Sequence, residues 1–143
     1  MILDTQETFS DAQSVASAAG DVISTNVYDT GAATDVGIGA DIYLYAKMNA
    51  ALVGAGASIA VVLQDSADNS TFADVQVVSK VVPVASATLN AELVRARLPI
   101  GLRRYLRLVY RISGATTTAG TVSSFLATDV QAQQYGASGF SVQ

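Results

Sequence analysis

Arg103-Arg-Tyr-Leu-Arg-Leu-Val-Tyr-Arg-Ile112 is the stretch that decides the fold. Successive side chains of a strand point to opposite faces. Leu106, Leu108, Tyr110 and Ile112 therefore make one face, and Arg103, Tyr105, Arg107, Val109 and Arg111 make the other. The first reads as core, the second as an arginine-tyrosine surface. The same two-residue period recurs upstream. Ile42, Leu44, Ala46 and Met48 alternate with Tyr43, Tyr45 and Lys47. Ala57, Ile59, Val61 and Leu63 alternate with Ser58, Ala60, Val62 and Gln64, and the apolar Ala60 and Val62 predict a central strand covered on both faces.

Further strands are expected at 22–28, 72–82, 88–96 and 121–130, with Pro83 ending or edging the 72–82 strand because it cannot donate a ladder hydrogen bond. Turn signals at Gly31, Gly37 with Gly39, Gly54 with Gly56, Asp68-Asn69, Pro99-Ile-Gly101 and Ser113-Gly114 are spaced for short strands. The expected fold is all-β: an antiparallel, jelly-roll-like β-sandwich of seven or eight strands over residues 22–130. Two segments lie outside it. Residues 1–21 read as an N-terminal arm, where Ser10-Asp-Ala-Gln13 has the form of a capping box and leaves open a short helix over 10–19 or an extended arm. Residues 131–143, poor in core residues except Tyr135 and Phe140, read as a tail that orders on a neighbour.

The 143-residue chain suits one domain. It is 50% hydrophobic, only 14% charged, and has a mean hydropathy of +0.37. A surface this poor in charge, against about 25% charged residues in an average globular chain, points to extensive protein contact. With neither cysteine nor histidine, disulfides, thiolate nucleophiles, imidazole catalysis and Cys/His metal sites are excluded. Acid/base work would fall to Asp, Glu, Lys or Tyr, and no spacing singles out a pair, so the expectation is a protein without enzymatic activity or cofactor. No basic segment precedes the first apolar residues and no run is apolar for the length of a bilayer, so the expectation is a soluble protein made in the cytoplasm, with no membrane partner.

Charge falls in two blocks. Residues 1–46 carry seven acids, among them Asp21, Asp29 and Asp41, and no base, whereas 95–111 carry Arg95, Arg97, Arg103, Arg104, Arg107 and Arg111 and no acid. Two readings compete. The arginines pair with the acidic segment, within the fold or across a symmetric interface, or they form a docking face for an acidic partner. Arg103, Tyr105, Arg107 and Arg111, with Tyr135 and Phe140 of the tail, are the candidate interface residues. A single-strand nucleic-acid platform is disfavoured, because Tyr110 falls on the core face and the net charge is −4. The motifs that remain read as turns. Gly37-Ile-Gly39 and Gly54-Ala-Gly56 lack the third glycine and the helix of a dinucleotide fingerprint. Asp65, Asp68 and Asn69 miss the calcium-loop spacing at Ala67 and Ser70.

Phe9-Ser-Asp-Ala-Gln13, Ser24-Thr-Asn-Val-Tyr-Asp-Thr-Gly-Ala-Ala33, Asp35-Val-Gly-Ile-Gly39, Asp68-Asn-Ser-Thr-Phe72, Leu98-Pro-Ile-Gly101 and Arg104-Tyr-Leu-Arg-Leu108, in this order and spacing, resemble the capsid cement (decoration) proteins of short-tailed bacteriophages. The resemblance implies a jelly-roll sandwich on the outer surface of the virion head, bridging major capsid subunits, often as a homodimer, with no catalysis. Other phage head or tail components, and a sandwich module binding carbohydrate through Tyr43 and Tyr45, are the alternatives.

Overall fold

The computed structural model describes residues 4–33 and 41–128. Ten strands, all paired antiparallel, form two sheets: β1 (Thr8–Ser14), β2 (Gly20–Ile23), β3 (Tyr28–Asp29), β4 (Tyr43–Val53), β5 (Ser58–Ser66), β6 (Ala73–Val77), β7 (Val82–Pro83), β8 (Glu92–Arg97), β9 (Tyr105–Ser113) and β10 (Ala119–Ala127). The first sheet has the order β1-β10-β4-β8; the second has β2-β9-β5-β6, with β3 also on β9 and β7 also on β5. Because β2 and β3 share one edge of the second sheet and β6 and β7 the other, the ten strands occupy eight positions. Apart from the β2–β3 link along one edge and the hairpin of β5 with β6–β7, each connection crosses between sheets. This is the jelly-roll arrangement, and the all-β sandwich expected from the alternation is present.

The core lies between the sheets. Leu44, Ala46 and Met48 of β4, Ile59, Val61 and Leu63 of β5, and Leu106, Leu108, Tyr110 and Ile112 of β9 all belong to it. These are the inward positions predicted by the period of two. β5 is central, and its outward Ala60 and Val62 are buried as well. One polar group is placed at the centre. Tyr110 extends from the second sheet so that its hydroxyl donates to Ser10 Oγ at 2.7 Å and shares a 2.5 Å bond with Ser124 Oγ, both in the first sheet. A buried phenol needs such partners.

Several boundaries differ from expectation. Residues 8–14 are not an arm, and no helix forms over 10–19: β1 pairs with β10, and Phe9 and Val15 are fully buried. The Ser10 hydroxyl donates to Gln13 Oε1 at 2.6 Å, a side chain to side chain bond in place of the reciprocal backbone bonds of a capping box, and the pair spans a β-bulge in which Ala12 takes φ 47°. Burial of Phe9 and Val15 outweighs a helix too short to stand alone. The expected strand 72–82 is two strands, β6 and β7, because Val78 and Ser79 turn their amides onto the Val61 carbonyl. Pro83 lies in an edge strand, as its missing N–H demands. The strand expected from 88 begins at Glu92, since 84–91 folds into turns with Asn90 at φ 62°. The tail 131–143 and the Gly37-Ile-Gly39 turn lie outside the described residues.

Candidate interaction face

Across the outer face of the second sheet, cross-strand registry sets Asp21 of β2 opposite Arg111 of β9, and Gln64 of β5 between Arg107 of β9 and Asp74 of β6. Their side chains join into one chain of bonds. Arg111 grips Asp21 with Nε at 2.8 Å and Nη2 at 2.9 Å, and the same Nη2 reaches Asp74 at 3.2 Å. Gln64 donates to Asp74 at 2.6 Å and accepts from Arg107 Nε at 2.8 Å, while the Arg107 guanidinium stacks 3.9 Å above the Phe72 ring. Beneath this layer Val62, Val109 and Ala60 are buried, and long arginine stems are suited to cover them.

The electrostatics follow the geometry. Arg111 holds the Asp21 carboxyl below the usual carboxylate range; the Gln64 amide, followed by Arg111, does the same for Asp74. Arg111 is itself pushed up by the two carboxylates. Asp65 is nearly enclosed. Burial opposes its charge most strongly, yet three bonds from Arg103, from the backbone N–H at 2.9 Å, Nε at 2.9 Å and Nη2 at 2.6 Å, bring the net shift downward. Arg104 Nε meets Asp29 at 2.8 Å and its guanidinium sits over the Tyr105 ring; Arg97 meets Asp41 at 3.1 Å.

The pairing reading of the two charge blocks thus describes the fold: Asp21, Asp29 and Asp41 of the acidic segment each take an arginine of the basic block. Arg107, Arg111 and Tyr105 do share the second sheet's outer surface. Arg103 does not join the network but folds onto Asp65 at the strand entrance. Tyr135 and Phe140 fall outside the described residues. The opposite outer face holds a pair the alternation did not suggest, Tyr45 against Phe125 with centroids 5.2 Å apart and both nearly buried. The Arg95 guanidinium stands 5.5 Å from the Tyr45 ring and pairs with Glu92 at 2.8 Å. The only signal for this contact was the β4/β10 register, which sets Phe125 opposite Tyr45.

An open cleft of about 680 Å³ lies beside the Thr5–Glu7 turn, lined by Asp4, Glu7, Asn26, Tyr28 and Asp29. Burial, then Glu7 and Asp4, push the Tyr28 phenol up. Asp4 caps the Gln6 amide and Asp29 is committed to Arg104, so two of its three carboxylates already have partners. Asp68, part of the acidic turn that faintly suggested calcium, accepts from the Ser70 and Thr71 amides and from Ser66 Oγ, which makes it the brace of that turn.

One protein-family model, Bbp16, matches residues 9–126, from β1 to nearly the end of β10. No curated protein matches the chain.

Proposed function

The chain belongs to the Bbp16 family, and from that premise we propose that it is a virion structural protein that binds the outer surface of a phage head and bridges major capsid subunits. It acts without catalysis or cofactor, with a second copy of the chain and the major capsid protein as partners. The observation that carries this reading is the internal settlement of the charged groups. Five arginines are bonded to carboxylates of the same chain and Arg107 to Gln64 and Phe72, so that among the described residues the arginines are engaged within the fold, which suits a stiff spacer better than a cationic platform. All six stretches that resemble capsid cement proteins fall inside the family match.

Stabilisation of a shell needs no chemistry beyond binding. A protein that binds the assembled lattice and not its dispersed subunits lowers the free energy of the lattice by linkage, and repetition over symmetry-related sites multiplies weak contacts. The carbohydrate reading loses its platform, since Tyr45 is nearly buried against Phe125 and so cannot pair with Tyr43 as an exposed row. The test is to mix the purified protein with full and empty phage heads, pellet the heads and count bound copies. Saturation at a fixed multiple of the lattice sites is the expected result; folded protein left wholly in the supernatant overturns the reading.

A further inference from the structure

The jelly-roll connections gather at two ends, and the ends differ in chemistry. One is built from the loops 15–19, 54–57, 84–91 and 114–118, whose sequences are Val-Ala-Ser-Ala-Ala, Gly-Ala-Gly-Ala, Val-Ala-Ser-Ala-Thr-Leu-Asn-Ala and Gly-Ala-Thr-Thr-Thr. None carries a charge. The other end holds the Asp29–Arg104, Asp41–Arg97 and Asp65–Arg103 pairs and the Asp68 turn.

The uncharged end is also preformed. Its loops are bonded in a row: Val84 N–H to the Ala57 carbonyl at 2.9 Å, Thr117 N–H to the Ser17 carbonyl at 2.8 Å, and Ser17 N–H to Thr117 Oγ1 at 3.0 Å. Thr117 Oγ1 also donates to the Val15 carbonyl at 2.6 Å. Loops 54–57 and 114–118 touch so closely that a Cβ on Gly114 would overlap the Gly56 carbonyl oxygen. From this scaffold two large apolar side chains project, Leu89 at 62% and Val53 at 50% exposure. They belong to no core cluster.

Resting on the capsid-binding reading, we infer that the uncharged end of the sandwich, centred on Leu89 and Val53, is the surface that seats on the shell, against an uncharged, apolar-bearing patch of the capsid subunits. Three observations carry it. A partner with charged groups at this contact would have to desolvate them with no counter-charge on offer. The loops are already ordered by their mutual bonds, so docking forfeits little conformational entropy. Leu89 and Val53 gain by burial; Ile100 of the opposite end, 73% exposed, would gain as well, but docking there would also have to desolvate the Asp29–Arg104, Asp41–Arg97 and Asp65–Arg103 pairs, which are satisfied in water.

The test uses the full chain and phage heads freed of it, with bound copies counted between about 50 mM and about 1 M NaCl. Leu89→Asp, and independently Thr116→Glu on the neighbouring exposed loop, are compared with Arg97→Ala at the other end and with removal of residues 131–143. Thermal midpoints check that each variant is folded. The expected result is wild-type binding nearly independent of salt, a loss of about tenfold or more in affinity for each uncharged-end variant, and little change for Arg97→Ala or the truncation. Wild-type affinity for both uncharged-end variants, or binding lost with the truncation or with salt, overturns the inference and leaves the capsid reading standing. No wild-type binding at any salt overturns both.

Discussion

One end of the sandwich is held by backbone and small side chains, the other by arginine-carboxylate pairs. Contacts of the first kind are short-ranged and indifferent to solution conditions: the Gly114–Gly56 crossing and the Thr117 bonds involve no group that titrates between the acid and alkaline extremes. Those of the second kind are weakened by salt and by acid. A single domain therefore carries one rigid end and one conditional end, and each can be perturbed separately.

The largest break in that comparison should come at the rigid end. Gly114 sits at φ 84° with the Gly56 carbonyl where a Cβ would go, so Gly114→Val should lower unfolding free energy by about 3 kcal/mol or more, measured by chemical denaturation. A loss below about 1 kcal/mol would mean that the loops separate easily. Next comes Asp65→Ala at the conditional end, which strands the Arg103 guanidinium and the Arg103 N–H. The expected cost is about 2 kcal/mol, below that of a fully enclosed pair because Arg103 itself is partly in solvent.

Acid should then sharpen the contrast. Asp21, Asp29, Asp65 and Asp74 all have carboxyls held below 3.8 in the folded protein. A depressed folded pKa contributes stability that is full above the unfolded value and is lost as pH falls through the folded one. Stability should be flat from neutral pH to about 5 and decline below about 4. Hydrogen exchange at 28–31 and 103–105 should quicken in that window before exchange at 54–57 and 114–118 does. Equal acceleration at both ends would erase the distinction. The smallest effect belongs to Arg104→Ala. It removes one exposed pair with Asp29, and its small shift in thermal midpoint should vanish in about 1 M NaCl.

The strands were legible where period and burial agree. Leu106 to Ile112 and Leu44 to Met48 face the core because a core on one side and water on the other is what alternation encodes. The outer-face network was legible only as two opposite blocks of charge. That Arg111 takes both Asp21 and Asp74, and Arg103 takes Asp65, depends on which strands become neighbours, which no local window contains. The same holds for Tyr45 and Phe125, brought together by the β4/β10 register. At 8–14 a local signal was misleading: the Ser10–Gln13 bond is real, but long-range burial of Phe9 and Val15 decided the backbone that carries it.

The first sheet has a consequence for how the chain is made. β10 lies between β1 and β4, so residues 8–14 must wait for residues 119–127 before they have a hydrogen-bonded neighbour in their sheet. During synthesis, β1 therefore emerges long before its neighbour, and the sheet closes only when nearly the whole described chain has left the ribosome. Pairings so distant along the chain make for slow folding. Until that strand arrives, Phe9 and Val15 are exposed to whatever else is in the cell, and its arrival is the step that commits the molecule to its shape.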